Sequence, residues 1–428
     1  MGSAAHRRDI DMLVVSNGVT GMTMALALAT YGMRVHVVSR SGWLDASPDP
    51  QLIDRRSMAI FRALDVADDV IAVANRWPQL GGTVFAGSLG AQAIMRIDAT
   101  GAAGHDSPID IAQATLTNAL LGKAVARGAT VAFNGEYLGH QQDEDGVTVT
   151  LHDLVLDRIY TVRAGYVFGA DGYRSRGGEE GCALVARGTA PLATIEARFT
   201  ADLAPRLGDR PSVFNWIVAP DAAAGRRGTG LLRAVSPWRE WIARWDVDAS
   251  AGAVAPDRDA VRTCIATMID GDAGSVELGA VKVQPVSHRL AKARGKGRVF
   301  CGGDVIRYLT HPGGPGTNSG IQDAYELAAK LALVAQGEAG PGLLDSYALD
   351  GAPVEPRLTL VASGETPLQH FLTGPSGSKE IAAALRAEEP APHGSDRGRV
   401  PAARAPAPRT KTTPQIAQSP RARHHAGH

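Results

Sequence analysis

Apolar residues along the first forty positions change from a strand pattern to a helical pattern and back. The short apolar run from Met12 to Val15 is followed by a turn and then by Met22 to Thr30, which is rich in alanine, leucine and methionine. Gly32 stands where this helix should end, and β-branched residues follow between Arg34 and Val38. This order of strand, turn, helix and strand has the length of a βαβ unit. The chain is therefore predicted to open as a nucleotide-binding type of fold.

The pattern then alternates between two architectures. A helix is predicted from Arg56 to about Ala74, and two short strands that look antiparallel follow at Thr83 to Phe85 and Ala93 to Ile97. A helix is predicted at Thr115 to Arg127 and a buried strand at Tyr166 to Phe168. The stretch from Leu192 to Val286 is again rich in strands. From Arg298 to Gln336 the pattern predicts a strand, a glycine-rich loop and a long helix. Two domains are therefore expected to interleave along the chain.

Charge and cysteine content narrow the possible partners. Lysine plus arginine equals aspartate plus glutamate, at 44 each, so no net field would draw the chain to nucleic acid or to an anionic membrane. Cys182, Cys264 and Cys301 lack the CxxC spacing of a zinc site, so no metal is expected and a reducing cytoplasm is the simple interpretation. The polar N-terminus and the interrupted apolar run after it predict neither a signal peptide nor a membrane helix. The oligomeric state stays open.

The turn after the first strand carries the first candidate for chemistry. Residues Ser16 to Gly21 read SNGVTG, a GxGxxG fingerprint with serine in place of its first glycine. Such a loop needs a tight turn, close backbone approach to a pyrophosphate and close helix packing, and Gly18 and Gly21 still provide the last two. Where an acid normally binds a ribose hydroxyl stand Ser39 and Arg40. Ser39 retains one hydroxyl, and Arg40 would suit a phosphate if it did not simply lie at the surface.

Two further glycine motifs follow buried strands. Residues Gly169 to Ser175 read GADGYRS, and Gly302 to Asp304 read GGD. The GGD motif, which is the third along the chain, is followed by HPGGPGTNSG at His311 to Gly320 and then by a helix. In this order and spacing, the three motifs resemble those of the class A flavoprotein monooxygenases, which have a fold like that of para-hydroxybenzoate hydroxylase.

Other segments narrow the resemblance to the branch that contains chlorophenol 6-monooxygenase and phenol hydroxylase. The matching segments are Ile53 to Arg62, Gly228 to Trp241, Gly297 to Cys301 and Ile321 to Ala324. The resemblance extends from about Asp11 to Pro353. It implies an α/β fold in which a Rossmann-like FAD-binding domain of the GR2 flavoprotein type interleaves with an antiparallel-sheet substrate domain. The expected FAD-binding parts are residues 1–75, 109–178 and 287–374, the substrate parts are 76–108 and 179–286, and a disordered tail covers 375–428.

The resemblance also implies cofactors and contacts. The cofactors would be FAD and NAD(P)H, and a flavin C4a-hydroperoxide would hydroxylate a phenolic or polycyclic aromatic substrate. The positions implied for cofactor binding are Gly18, Gly21, Arg56, Gln113, Asp171, Gly172, Gly303, Asp304, Gly314, Gly316, Thr317 and Asn318. Trp216, Trp238 and His311 are candidates for substrate contact, although strand tryptophans are more often core and a loop histidine is more often a hydrogen-bonded or exposed residue. The residues identify no catalytic base.

Four positions depart from the family pattern, and all concern the cofactor. They are Ser16, Ser39, Asp49 in place of an arginine against the flavin nucleotide, and Thr310 in place of a proline beside the ring. A glycine-type conformation at Ser16 would cost about 1 to 3 kcal/mol, and a carboxylate beside the pyrophosphate about 1 to 4 kcal/mol. Together they predict FAD binding weakened by two to four orders of magnitude. The rival hypotheses are a non-catalytic homologue and an enzyme that uses the substrate cleft without flavin.

Overall fold

The structure is a computed structural model of the 428-residue chain. It describes residues 10–44, 49–76, 81–97, 107–171, 184–186, 192–207, 211–218, 226–236, 238–250, 252, 254–286, 288–291, 293–309 and 316–349. The strands are β1 Ile10–Val15, β2 Val35–Ser39, β3 Pro50–Ile53, β4 Asn75–Arg76, β5 Thr83–Ala86, β6 Ala93–Ile97, β7 Ile109–Ala112, β8 Thr130–Phe133, β9 Gly135–Gln142, β10 Val147–Asp153, β11 Arg158–Gly169, β12 Leu184–Ala186, β13 Leu192–Thr200, β14 Phe214–Val218, β15 Arg226–Ser236, β16 Glu240–Asp248, β17 Glu277–Pro285, β18 His288–Ala291, β19 Gly295–Lys296, β20 Val299–Cys301 and β21 Arg307–Leu309. The helices are α1 Val19–Thr30, α2 Arg55–Ala63, α3 Ala67–Ala72, α4 Gln113–Ala126, α5 Ala204–Leu207, α6 Arg258–Ile269, α7 Gly316–Ala335 and α8 Leu343–Leu349.

The largest sheet has a parallel centre, and its edge strand β19 is antiparallel to β20. Its strands lie in the order β19-β20-β11-β1-β2-β8, with β10 and β9 added as an antiparallel arm on β11. Strand β1 is buried on both faces, as is typical of a central parallel strand. Met12 and Val14 pack with the helices α1, α4 and α7, whereas Leu13 and Val15 pack under the antiparallel arm. One side of the sheet is therefore covered by helices and the other by strands.

The predicted βαβ unit is confirmed, and the helix after it differs from the prediction. Helix α1 ends at Thr30, and Gly32 adopts a φ of 79°, the left-handed conformation expected after a helix. The single helix predicted from Arg56 to Ala74 is two helices, α2 and α3. Asp65, with a φ of 50°, interrupts them, and its carboxylate pairs with Arg127 at 3.0 Å. An aspartate accepts this conformation more readily than most residues, and sequence periodicity alone does not report it.

A second sheet of seven strands has the order β17-β13-β16-β15-β14-β5-β6. Its pairs are antiparallel apart from β14 and β5, and the predicted antiparallel pair β5 and β6 is confirmed. One face packs against α6, where Trp241 and Trp245 are each 1% exposed. The other face carries Phe214, Trp216 and Arg233. We call this the lower face of the second sheet.

A small antiparallel sheet, β3-β7-β4, connects the two larger sheets. Asp110 of β7 pairs with Arg233 on the lower face, and both are at least nine-tenths buried. Asp49, directly before β3, pairs with Arg198 of β13. Another three strands form the sheet β12-β18-β21. No helix in the described part of the chain is long and apolar enough to cross a membrane. The tail expected at residues 375–428 lies outside the described residues.

Candidate cofactor-binding site

Ser16 fits the turn between β1 and α1 without a glycine-type backbone. It is fully buried, and its φ is not positive: among the described residues, the non-glycine positions with positive φ are Asp65, Asn134, Asp157 and Asp270. Its hydroxyl donates to the Ala170 carbonyl at 2.8 Å and accepts the Gly18 N–H at 3.2 Å. The strain expected from this substitution is therefore absent. Its hydroxyl instead joins the first glycine motif to the second.

Gly21 provides the space that the Ser16 side chain uses. A Cβ placed on Gly21 would lie 2.1 Å from the Ser16 Cβ, far inside any real contact. At Gly18, by contrast, no atom lies within 4 Å of the position that a Cβ would take. Gly18 begins α1 with no side-chain cap on the first turn. The loop thus keeps an open approach to the helix N-terminus, which is the feature that anionic groups of nucleotides use.

Thr20, in the first turn of α1, lies between two glycines of the third motif. A Cβ on Gly303 would lie 2.7 Å from the Thr20 Oγ1, and a Cβ on Gly320 would lie 2.1 Å from the same atom. Gly303 also has a φ of 65°. Helices α1 and α7 and the turn at residues 303–305 therefore approach each other closely around one side chain. This packing brings Asp304 to the first motif.

Asp323 holds the turn that carries Asp304. Its side chain is buried in α7, and its Oδ2 accepts the Gly303 N–H at 3.1 Å. The other oxygen lies 3.4 Å from Nη1 of Arg294. A charged acceptor strengthens the bond to the Gly303 N–H. The sequence signal for this residue was present, because Asp323 belongs to one of the segments that carry the family resemblance, but its position in the site was not predicted.

Replacing Asp323 by asparagine is expected to weaken FAD binding about tenfold. The amide keeps the size of the side chain but loses the charge that orients the Gly303 N–H and pairs with Arg294, a change of roughly 1 to 2 kcal/mol. The dissociation constant is measured by titration of flavin fluorescence. Glu326→Gln on the same helix is the control and should leave FAD affinity unchanged. Equal affinities of Asp323→Asn and the wild type would contradict this role.

The N-terminus of α7 is joined to two other segments. The Thr317 hydroxyl donates to Oε1 of Gln51 at 2.7 Å, and Nε2 of Gln51 donates to Oε1 of Gln113 at 3.1 Å. Asn318 uses both ends of its amide: its Nδ2 donates to the Leu52 carbonyl at 2.8 Å, and its Oδ1 accepts the Asp54 N–H at 3.0 Å. The Asn318 side chain therefore fastens α7 to the segment between β3 and α2.

Two adjoining cavities follow the Ser16 to Thr20 loop. The first, of about 270 Å³, lies beside the end of β2 and is lined by Val15, Ser16, Asn17, Val38, Ser39, Arg40, Ser41, Gly135, Glu136, Tyr137 and Asp171. The second, of about 260 Å³, is lined by Asn17, Gly18, Val19, Thr20, Gln113, Ala170, Asp171, Asp304, Gly316 and Thr317. Asn17 and Asp171 line both. The site is thus an elongated cleft that runs from β2 to the N-terminus of α7.

The carboxylate of Asp49 is neutralised within the protein. It forms a hydrogen-bonded ion pair with Arg198, and both side chains are about one-quarter exposed or less. Asp49 lines neither of the two cavities. The repulsion expected from Asp49 is therefore offset by the guanidinium of Arg198, although the arginine of the family pattern is still missing.

The structure brings together half of the twelve implied cofactor residues in one cavity. Gly18, Gln113, Asp171, Asp304, Gly316 and Thr317 line it. Gly21, Gly303 and Asn318 lie next to it and shape its walls. Arg56 is exposed on α2 and lines neither cavity. Gly172 and Gly314, like His311 and Thr310, lie outside the described residues.

The two tryptophan candidates lie in different surroundings. Trp216 stacks on Phe85 on the lower face of the second sheet, with ring centroids 6.1 Å apart and planes 8° from parallel. Trp238 packs with Trp241 against the core below α6, and its carbonyl accepts the Trp241 indole N–H at 3.0 Å. The two candidates therefore do not share one surface, and Trp216 is the better placed for a flat ligand.

Other site residues were not predicted from the sequence. Gln51 connects Thr317 with Gln113, and Glu136 and Tyr137 line the first cavity from β9. No motif marks them. Their positions follow from strand pairing and from hydrogen bonds between residues far apart in the chain, which periodicity does not encode.

The fold and the cleft define a class of protein: an α/β protein with two large sheets and, beside a glycine turn, a cleft of the kind that accepts a dinucleotide. The comparisons give the family. Residues 9–361 match the family described as FAD binding domain, and the chain belongs to that family.

Relatives in this family are monooxygenases. The chain is 32% identical over 357 residues to 2,4-dichlorophenol 6-monooxygenase of Cupriavidus pinatubonensis. The matched region covers 81% of this chain and 60% of that enzyme. It is 30% identical to phenol 2-monooxygenase of a Pseudomonas species, over 84% of this chain and 59% of that enzyme. The chain thus spans about 60% of the length of these curated relatives. The FAD and aklavinone complex of aklavinone-11 hydroxylase is structurally similar, with a TM-score of 0.72, 26% identity, and coverage of 89% of this chain and 71% of that one.

Proposed function

We propose that the protein is an FAD-dependent, NAD(P)H-using monooxygenase that hydroxylates a phenolic or polycyclic aromatic substrate. The observation that carries the proposal is the cleft formed by the two adjoining cavities, with Asn17 and Asp171 at their junction. The bound FAD would supply the oxygen chemistry, through reduction by NAD(P)H and a C4a-hydroperoxide. The cytoplasmic location expected from the cysteines stays a prediction.

Three features of the cleft suit the pyrophosphate, the ribityl chain and the charge of the flavin ring. The pyrophosphate would lie over Gly18, where no atom obstructs the approach to the N-terminus of α1. Asp304 and Gln113 would accept and donate hydrogen bonds to the ribityl hydroxyls, since both line the second cavity. The N-terminus of α7, a helix of 20 residues, would stabilise negative charge on the flavin ring. Each of these contacts would be made by a group that neighbouring elements already hold.

The substrate class rests on the relatives and on one surface. The relatives named above act on phenols, and others are named tetracenomycin A2 monooxygenase-dioxygenase and aklavinone 12-hydroxylase. On the lower face, the partly exposed Trp216, supported by its stacking on the buried Phe85, is the aromatic side chain that an aromatic ring could contact. We expect phenols and polycyclic aromatic phenols to be the class to screen.

The first experiment is purification of the chain, its visible spectrum and titration with FAD. A flavin spectrum, or uptake at micromolar or tighter affinity, supports the proposal. Hydroxylation is then tested with a panel of phenols by NAD(P)H oxidation and by incorporation of one labelled oxygen atom from O₂ into product. Asp304→Ala should lose FAD, whereas Asp345→Ala, on α8, should keep it. A colourless protein that leaves millimolar FAD free would favour the flavin-independent or non-catalytic homologue.

A further inference from the structure

The first cavity contains the carboxylate of Glu136, which comes from β9 and not from the end of β2. The usual ribose-binding acid at the end of β2 is replaced by Ser39, which is 2% exposed and whose hydroxyl donates to the Ser41 carbonyl at 3.3 Å. Glu136, near the start of β9, lines the same cavity together with Ser39. Its side chain is 23% exposed, so it is held largely within the protein.

Strand pairing explains why Glu136 reaches this place. Strand β8 lies parallel to β2, with Phe133 opposite Ser39. Asn134 then adopts a φ of 57°, and its N–H donates to the Ser41 carbonyl at 3.1 Å. At Gly135, an added Cβ would lie 2.8 Å from Cγ1 of Val38, so the chain passes directly against the end of β2. The next residue, Glu136, is therefore fixed beside the position of the missing acid.

Arg40 orients the carboxylate of Glu136. Its Nε lies 3.2 Å from Oε1 of Glu136, while the Arg40 side chain is 76% exposed. In the part of the chain that the structure describes, Arg40 is the cationic partner of Glu136. The guanidinium stays at the solvent side of the cavity and contacts Oε1 of the carboxylate. A carboxylate has several acceptor positions on its two oxygens, so hydroxyl donors can bind beside the arginine.

We infer that Glu136 binds the ribose hydroxyls of the adenosine half of FAD and so replaces the absent acid of β2. The inference rests on the proposed FAD binding. Two adjacent hydroxyls of a ribose can both donate to one carboxylate, and such charge-assisted bonds are stronger than the single bond that Ser39 could offer. The adenosine subsite is thus completed by a residue 97 positions after Ser39 in the chain.

The test compares two flavins on Glu136→Gln. FAD contains the adenosine half, and FMN lacks it. We expect the dissociation constant for FAD to rise about tenfold or more and that for FMN to change less than twofold. Glu144→Gln, an exposed position on the turn after β9, is the matched control and should change neither. Both constants are read from flavin fluorescence, independently of any turnover.

A second measurement identifies the hydroxyls themselves. ADP and 2′,3′-dideoxy-ADP are used to displace FAD from the wild type and from Glu136→Gln. The wild type should prefer ADP about tenfold, and the variant should show little preference. An unchanged preference for ADP in Glu136→Gln, or unchanged FAD affinity, would overturn the inference. A wild type that binds neither FAD nor FMN would instead overturn the proposed function, so the two failures are distinguishable.

Discussion

Gly21→Ala is expected to reduce FAD affinity by at least 100-fold, and Ser16→Gly in the same chain should restore most of it. The added Cβ would lie 2.1 Å from the Cβ and 2.3 Å from the Oγ of Ser16. Because Ser16 is fully buried and bonded to the Ala170 carbonyl, it cannot move without displacing the turn that faces the cofactor. Overpacking of this kind costs about 1 to 3 kcal/mol in stability besides the binding loss.

In the double variant, the nearest remaining atom is Cγ1 of Val14, at 3.3 Å from the new Cβ. A shift of a few tenths of an ångström relieves this contact, so FAD affinity should return to within about fivefold of the wild type. Fluorescence titration and thermal unfolding of the two single variants and the double variant give the result. Two results would contradict the coupling between Ser16 and Gly21. One is a Gly21→Ala variant that binds FAD like the wild type, and the other is a double variant that binds FAD no more tightly than Gly21→Ala.

Asp110→Ala is expected to lower the free energy of unfolding by about 3 to 5 kcal/mol. Asp110 is 2% exposed and Arg233 is 7% exposed, so the variant leaves a buried guanidinium without its carboxylate. Burial raises the pKa of Asp110 and lowers that of Arg233, and the attraction between them opposes both shifts. Among the described residues, Nε of Arg233 has no hydrogen-bond acceptor, so the variant would leave the guanidinium with the Phe214 ring, 4.5 Å away, and the more distant charge of Asp49.

The double variant Asp110→Ala with Arg233→Met should be more stable than Asp110→Ala alone, because no unpaired charge remains. Chemical denaturation of the wild type, Asp110→Ala, Arg233→Met and the double variant gives the coupling energy between the two residues. Asp259→Ala removes an exposed partner of Arg262 on α6 and should cost less than about 0.5 kcal/mol. Additive effects of the two substitutions would show that the buried pair contributes no coupling between the small sheet and the lower face.

Local pattern was sufficient to predict the βαβ unit and the three glycine motifs. The short apolar run, the helix-ending Gly32 and the β-branched strand all act within a few residues, where periodicity is informative. The same pattern was wrong between α2 and α3, because the left-handed conformation at Asp65 leaves no periodic signal. Local rules thus describe elements well and their interruptions poorly.

The departures in the cofactor site could not be interpreted from the sequence, because their partners are distant in the chain. Asp49 is neutralised by Arg198, 149 positions away. Ser16 is accommodated by a bond to Ala170, 154 positions away. Each substitution taken alone predicts weaker FAD binding. In the structure, Ser16 sits in its turn without backbone strain, and Arg198 offsets the charge of Asp49. The order of residues in the chain shows these substitutions but not the distant contacts that offset them.

The order of strands in the parallel sheet has a consequence for biosynthesis. Strand β11 pairs on one side with β1 and on the other with β20, which ends at Cys301. At translation rates of about 5 to 20 residues per second, the edge of β11 therefore stays without β20 for roughly 7 to 26 seconds after β11 has been made. Helix α7, which packs against α1, is made later still, so the apolar face of α1 needs temporary cover from partial structure or from a chaperone. Loss of the last strands through premature termination would leave a nascent chain prone to aggregation, and its cofactor cleft could not assemble.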